Sequence, residues 1–281
     1  CRKAFYITDI HGDAVYETIE SRNKTSNHWY VNYLKELQQH FIKKSDFCIT
    51  VSENLKKQIE FNTNCYIGNY SIISCGVNYE KFANAKKQTI PFDLSNRIVL
   101  GYSGGLQAWQ NFDKIIDIII ELRTKNPLIF FLVYTNNSIE PYKEKLSLIG
   151  EENYYIKSLM SSEVPGYLKL FDAGFLIRDD KILNKVSSPT KICEYLAAGV
   201  PLICTKYSGD YDRSIIDRQN GFVLNNSTPT TNEYYNLILW LDQLKHKQAE
   251  IKVQCKEAAS KRTFSQEFEI FYSKIMKKRK N

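Results

Sequence analysis

The chain has 281 residues, of which 43% are apolar and 13% aromatic, and it carries a formal net charge of +7. This length accommodates two domains with sizeable cores, and no run of about 18 apolar residues occurs, so no membrane span is expected. The seven cysteines lack paired spacing and form no zinc pattern with the four histidines, so neither a disulfide framework nor a zinc site is predicted.

The first part of the chain alternates short apolar strands with helices. The predicted elements are a strand at 4–8, a helix at 27–44, a strand at 47–51, a helix capped by Ser52 and a strand at 70–74. The loop Asp9-Ile10-His11-Gly12-Asp13 follows the first strand, at the sheet edge where α/β domains place their ligands. From the residues alone, His11 either faces such a ligand or orders its own loop through Asp9.

A polar segment, 79–96, precedes a second series of strands and helices. Strands are predicted at 97–102, 128–134, 154–156, 173–177, 202–205 and 221–224, with helices between them and a last helix at 265–278. This alternation predicts a parallel sheet with right-handed crossovers. The first of these strands runs into Gly104 and Gly105, and glycines at that place allow a backbone to approach a phosphate. The alternative is an ordinary tight turn.

The clearest local pattern is Ser187–Pro201, SSPTKICEYLAAGVP. Ser188 is predicted to cap a helix with Pro189 at its first position, and Gly199 is predicted to end it in the left-handed conformation. One face of this helix should pack on the sheet. That face consists of Ile192, Cys193, Leu196 and Ala197.

The opposite side of the same helix carries Thr190, Lys191 and Glu194. The free N–H groups of Thr190 and Lys191, the helix dipole and the lysine charge together favour a phosphate. Glu194 lies one turn further along and offers an acceptor for two sugar hydroxyls. The pattern indicates a nucleoside diphosphate site, and the alternative is a capped helix with a solvated Lys–Glu pair.

SPTKICEYLAAGVPLICT resembles the donor-binding segment of retaining glycosyltransferases of the GT-B fold, in particular of glycosyltransferase family 4. DIHGD, SDFCITVSENLKKQI, CGVN and GYSGGLQAWQNFDKI resemble further segments, so that the resemblance covers nearly all of the chain. It implies an α/β protein with two Rossmann-like domains facing across a cleft, of which the N-terminal domain is incomplete. Residues 1–92 would form the partial acceptor-side domain and linker, 93–262 the donor-binding domain, and 263–281 a helix crossing back and a basic tail.

The resemblance also implies roles for individual residues. Glu194 matches the glutamate that binds the ribose, and His11 matches a histidine that faces the donor sugar and is the predicted catalytic residue. Many members have a further glutamate where this chain has Val186, and Arg and Lys where it has Gly105 and Gln110. The diphosphate would therefore be bound by backbone N–H groups and by two cations, Lys191 and Arg178. The predicted donor-binding residues are Gly104, Gly105, Ile156, Lys157, Arg178, Ser188, Thr190, Lys191 and Glu194.

The implied reaction transfers a sugar from a nucleoside diphosphate sugar to a glycan or lipid-linked acceptor with retention of configuration, in surface polysaccharide biosynthesis. No cofactor and no metal are expected, and Asp179-Asp180 is interpreted as a solvated turn rather than a metal clamp. One alternative is a nucleotide-sugar epimerase of the same architecture. Another is a non-catalytic nucleotide-sugar-binding or scaffold protein, which Val186 and the missing loop cations favour.

The C-terminal end is strongly basic, with Lys277, Lys278, Arg279 and Lys280 in succession. Such a cluster either contacts anionic lipid at a membrane surface or forms a solvated tail. No nucleic-acid recognition motif accompanies it, and no nucleic-acid partner is predicted. The predicted location is the cytoplasm, with peripheral contact at the inner face of the cell membrane.

Overall fold

The computed structural model describes residues 4–280, without the side chains of 278–280, so most side chains of the basic end lie outside the described part of the chain. The first sheet has three parallel strands in the order β1-β2-β3. The elements of this region are β1 (Ile7–Ile10), α1 (Ala14–Ser21), α2 (Trp29–Lys44), β2 (Phe47–Thr50), α3 (Glu53–Thr63) and β3 (Tyr70–Ile72).

Two features of this first region differ from the sequence prediction. β1 lies at 7–10 rather than 4–8, because Ile7 pairs with Phe47 and the pairing continues to Ile10. The strand is at the edge and half exposed, so a purely apolar run does not mark it. The unpredicted helix α1 begins directly after it, where Asp13 accepts hydrogen bonds from two N–H groups of the first turn.

The second sheet has six parallel strands in the order β6-β5-β4-β7-β8-β9. The strands are β4 (Ile98–Ser103), β5 (Ile129–Tyr134), β6 (Tyr154–Lys157), β7 (Ala173–Leu176), β8 (Leu202–Thr205) and β9 (Gly221–Leu224). Every residue of β4, β5, β7 and β8 is buried, as expected for parallel strands covered on both faces. The order is that of a Rossmann sheet, in which the crevice beside β4 and β7 is the topological switch point.

Helices cover both faces of this sheet and connect the two regions. They are α4 (Tyr79–Ala83), α5 (Phe112–Lys125), α6 (Lys143–Ser147), α7 (Val164–Leu168), α8 (Ile182–Val186), α9 (Thr190–Ala197), α10 (Thr231–Ser260) and α11 (Phe264–Lys280). α10 is far longer than predicted and is kinked at Lys247, where the backbone leaves the helical region. Within residues 4–280, no helix has the length and apolar character needed to cross a membrane.

The helix of the SSPTK segment forms as α9, with one correction at its start. Its apolar face is fully buried as predicted, and Gly199 after its end has a φ of +78°. Ser188 does not cap it: the N-cap residue is Pro189, and no side chain caps the first turn. The hydroxyl of Ser188 instead accepts hydrogen bonds from Cys75 N at 3.0 Å and from Arg262 Nη2 at 2.7 Å.

Segments of the second region pack directly on the first. Val186, at the end of α8, is buried in the apolar cluster of the first sheet, and its carbonyl accepts a 2.6 Å hydrogen bond from Ser52 Oγ. Asn54 Nδ2 donates to the carbonyl of Lys185 at 3.1 Å. Val186 therefore has a packing role here, and its side chain is turned into the core of the first sheet.

Candidate functional site

The carboxyl ends of β4 and β7 meet the first turn of α9 at the switch point of the second sheet. Gly104 follows β4 with a φ of +138°, which side chains rarely adopt. A Cβ at this position would lie 2.4 Å from Cε of Lys191. Glycine is therefore required for the lysine to pass beside this loop.

Lys191 is buried beneath the glycine loop, Gly104-Gly105, and its ammonium has only neutral hydrogen-bond acceptors. Its Nζ donates to Gln110 Oε1 at 2.7 Å and to the Tyr102 hydroxyl at 2.9 Å, and it lies 4.2 Å from the centre of the Tyr102 ring. Only 9% of Lys191 is exposed, which excludes the solvated Lys–Glu pair. Burial and the nearby charge of Arg178 lower the pKa of Lys191 well below its usual range.

Arg178 is the second buried cation of the site. It directly follows β7 and is 6% exposed, and its Nη1 donates to the carbonyl of Trp109 at 2.5 Å. Burial lowers its pKa to about 10, so the guanidinium stays charged at neutral pH. Within residues 4–280, neither Arg178 nor Lys191 has a carboxylate within ion-pair distance. Two adjacent buried cations without a counter-ion favour a bound anion, because isolated buried charges are costly.

The first turn of α9 adds polar groups to this pair of cations. The N–H groups of Thr190 and Lys191 have no intrahelical acceptor, as at any helix start. Glu194 is half-buried one turn further along, and no described side chain pairs with its carboxylate. Burial raises the pKa of Glu194, and the charges of Lys191 and Lys81 oppose that rise. Donors for a diphosphate and an acceptor for hydroxyls thus lie on one helix.

Three of the predicted donor-binding residues, Ile156, Lys157 and Ser188, lie in less open positions. Ile156 and Lys157 end β6, where the carbonyl of Lys157 already accepts from Thr135 N at 3.1 Å. A pocket of about 220 Å³ lies beside them but is lined by residues 103–105, 134–137, 159 and 164. The Ser188 hydroxyl is occupied by internal hydrogen bonds, so that any ligand would meet its backbone.

His11 lies across a cleft of about 780 Å³ from these groups. Its exposed ring has Nε2 2.9 Å from Asp9 Oδ2. The cleft is lined on the other side by Trp109, Arg178 and Ser187. The fold thus brings His11 to the same cleft as Arg178, although the two residues are 167 positions apart in the sequence.

Asp179 corrects a sequence interpretation. It is no solvated turn, because its Oδ1 lies 2.6 Å from Lys114 Nζ and also accepts from Ser227. Asp180 is half exposed and pairs with Lys185. Among the described residues, no group of His, Cys, Asp and Glu side chains is arranged to hold a metal ion.

The sequence analysis did not select Tyr102, Trp109 or Glu17. Tyr102 lies inside an apolar strand, where an aromatic residue normally packs in the core. Its hydroxyl, however, accepts a hydrogen bond from Lys191 Nζ and donates one to the Gly105 carbonyl. Trp109 is 56% exposed on the cleft. Its position shortly after Gly104-Gly105 in the sequence was the feature that could have identified Trp109 as a site residue. Glu17 reaches the cleft from α1, a helix that was not predicted.

No family model matches the sequence. A curated relative, the putative teichuronic acid biosynthesis glycosyltransferase TuaH of Bacillus subtilis, is 26% identical over 192 residues. The match covers 66% of this chain and 47% of the relative, so the chain spans about half of that protein's length.

Solved structures resemble the chain over most of its length. The pneumococcal O-GlcNAc transferase GtfA, in complex with UDP and GlcNAc, matches with a TM-score of 0.64 at 14% identity, covering 99% of this chain and 53% of GtfA. Anabaena Alr3699/HepE in complex with UDP matches with a TM-score of 0.68 at 16% identity, covering 96% of this chain and 72% of HepE. The chain has an α/β fold of the GT-B type, which confirms the predicted fold class.

Proposed function

We propose that this chain belongs to a glycosyltransferase that moves a sugar from a nucleoside diphosphate sugar to a glycan or lipid-linked acceptor, with retention of configuration. The observation that carries the proposal is the pair of buried, uncompensated cations Lys191 and Arg178 at the switch point. The description of TuaH as a glycosyltransferase of teichuronic acid biosynthesis and the UDP in GtfA and HepE support it. By the same analogy, its pathway is surface polysaccharide biosynthesis.

The donor would lie along the carboxyl edge of the second sheet. Its diphosphate would meet the ammonium of Lys191, the guanidinium of Arg178 and the backbone beside Gly104. Its ribose hydroxyls would donate to the carboxylate of Glu194, which no described side chain occupies. The sugar would then extend into the cleft toward His11, which would orient it by a hydrogen bond.

The chemistry of such a site is the stabilisation of a leaving diphosphate. The bond between the anomeric carbon and the β-phosphate oxygen breaks, and negative charge develops on the phosphate while the sugar ring becomes positive. Preorganised cations and helix N–H groups stabilise the charge that develops in the transition state more strongly than water does. The acceptor oxygen bonds to the anomeric carbon on the face that the phosphate leaves, and its proton passes to the released phosphate.

A transfer assay tests this proposal against the epimerase alternative. The protein is incubated with UDP-, GDP- and ADP-sugars with and without methyl glycosides, and the products are examined by NMR. The proposal predicts a new glycosidic bond with the anomeric configuration of the donor, formed only when an acceptor is present. A changed sugar in the nucleotide without acceptor would indicate an epimerase, and an inverted product would contradict retention.

One observation favours a second candidate, a non-catalytic nucleotide-sugar-binding protein. Val186 is buried in the core of the first sheet and presents no carboxylate to the cleft. The two functions differ in turnover, not in donor binding. Calorimetric binding of a nucleoside diphosphate sugar, without transfer to any acceptor tested, would favour this second candidate.

Glu194→Ala is predicted to weaken nucleoside diphosphate binding by about 1.5–3 kcal/mol, the value of hydrogen bonds to a charged group. The change removes the acceptor for the ribose hydroxyls and leaves the cation pair intact. Calorimetry measures the affinity, with circular dichroism to verify the fold. Glu144→Ala, an exposed glutamate on α6, serves as the matched control. Equal affinities for the wild-type protein and Glu194→Ala would exclude the ribose assignment.

Binding of a nucleoside diphosphate is predicted to weaken as the pH rises, because of Lys191. Burial and the Arg178 charge lower its pKa well below 10.5 in the free protein. A bound diphosphate favours the charged ammonium and raises that pKa. At pH values between the pKa of the free protein and that of the complex, the protein therefore takes up a proton when the ligand binds. Above about pH 7.5, where phosphates with a second pKa of about 6 are ionised, calorimetric affinity should fall. Lys191→Met should abolish this slope, and a slope that persists would contradict the assignment.

A further inference from the structure

An exposed tryptophan faces the cleft beside the cation pair. Trp109 lies on a 3-10 turn, Ala108–Gln110, which is followed by Asn111 with a φ of +52°. The guanidinium of Arg178 holds the Trp109 carbonyl at 2.5 Å, so the backbone of the turn is anchored. The indole itself is 56% exposed, and it stacks on no other described ring. A bare aromatic ring on an anchored turn is suited to contact a ligand in the cleft.

The opposite wall of the cleft carries an unpaired carboxylate. Glu17 is exposed in the first turn of α1, and no described side chain pairs with it. A Cβ at Gly12 would lie 2.4 Å from Glu17 Oε1, so the carboxylate rests against the loop that presents His11. The other acids of this wall are engaged: Glu20 pairs with Lys181 at 3.3 Å, and Asp13 caps α1.

We propose that Trp109 and Glu17 bind the acceptor, and that the acceptor presents an uncharged sugar ring at this place. The inference rests on the proposed glycosyltransferase function and adds the chemical class of the second substrate. The indole would cover the C–H face of the ring, and the carboxylate, which only accepts, would receive its hydroxyls. With the donor diphosphate paired with Arg178, a uronate or phosphate at the same place would meet the unpaired charge of Glu17 and be disfavoured. The cleft, at about 780 Å³, has room for this ring beside the donor sugar.

The aromatic contact is tested with neutral methyl glycosides of glucose, galactose, mannose and N-acetylglucosamine as acceptors. Trp109→Ala should raise the KM for the best of them by about tenfold, the value of burying one large side chain. Trp109→Phe should retain most of the affinity. The calorimetric affinity for the nucleoside diphosphate should change by less than about twofold, which corresponds to less than about 0.5 kcal/mol. Trp29→Ala, which removes a 73% exposed indole outside the cleft, is the matched control.

The charge preference is tested by comparing these acceptors with methyl glucuronide and methyl galacturonide. The wild-type protein should prefer the neutral glycosides. Glu17→Gln should narrow the ratio of kcat/KM between neutral and anionic acceptors by at least about fivefold, the change expected from losing one charge repulsion of about 1 kcal/mol. A wild-type preference for the uronides, or an unchanged ratio in Glu17→Gln, would overturn the inference.

A binding measurement decides the matter when turnover is too slow to follow. The chain has three tryptophans, of which Trp240 is buried and Trp29 lies outside the cleft. With the nucleoside diphosphate bound, a neutral methyl glycoside should change the tryptophan fluorescence, and Trp109→Phe should abolish that change. No change in the wild-type protein, with the nucleoside diphosphate bound, would overturn the acceptor assignment alone. If no nucleoside diphosphate binds, it is the proposed function that fails.

Discussion

Arg262→Met is expected to lower the free energy of unfolding by about 3–5 kcal/mol, the cost of leaving a buried carboxylate without its cation. Arg262 and Asp210 are 3% and 4% exposed, and Nη2 donates to Asp210 Oδ2 at 2.5 Å. The same nitrogen donates to Ser188 Oγ, directly before the first turn of α9. After the substitution, the nearest cation to Asp210 is Arg213, at 3.9 Å, which compensates only in part.

Urea denaturation measures this loss, with Lys261→Met, an exposed neighbour, as the control. Adding Asp210→Asn to Arg262→Met should restore a large part of the stability, because the second change removes the stranded charge. A loss below about 1 kcal/mol would show that the pair behaves like an exposed salt bridge. That result would contradict the buried network beside α9.

His11→Ala is expected to slow sugar transfer by about 10²-fold, the cost of misplacing a reacting group by about 1 Å. His11 lines the cleft opposite Arg178, and Asp9 holds its ring through Nε2 at 2.9 Å. It does not contact the cation pair, so the affinity for the nucleoside diphosphate should remain nearly that of the wild-type protein.

The decisive comparison pairs kcat with calorimetric affinity in the same variant. His40→Ala, an exposed histidine on α2 outside the cleft, is the matched control. A normal transfer rate in His11→Ala would return the residue to ordering its own loop. Lost affinity with a normal rate at saturating donor would place His11 on the nucleotide instead.

The sequence predicted those parts of the fold that local pattern determines. Continuous apolar runs marked the buried strands β4, β5, β7 and β8, because both of their faces are covered. The start of α9 was misjudged at Ser188, since the hydroxyl that could cap the helix is bound by Arg262, 74 positions later. β1 was misplaced because an edge strand that is half exposed lacks such a run.

The burial of Lys191 could not be derived from the helix pattern. Periodicity places Lys191 on the polar side of α9, which favours a solvated ammonium. In the fold its stem passes Gly104 and ends on Tyr102 and Gln110, residues that lie in a strand and a turn about 80–90 positions earlier. That the Lys191 ammonium has neutral acceptors and an aromatic ring as partners, instead of a carboxylate, can be seen only once these elements pack together.

Calorimetric titration of the wild-type protein and Lys191→Met, with a nucleoside diphosphate and with the matching bare nucleoside, tests the cation pair most directly. Lys125→Met, an exposed lysine on α5, controls for the loss of one charge. The account predicts that Lys191→Met weakens diphosphate binding by about 1.5–3 kcal/mol, roughly 10–150-fold, and leaves nucleoside binding unchanged. Unchanged diphosphate binding, or equal losses for both ligands, would contradict it.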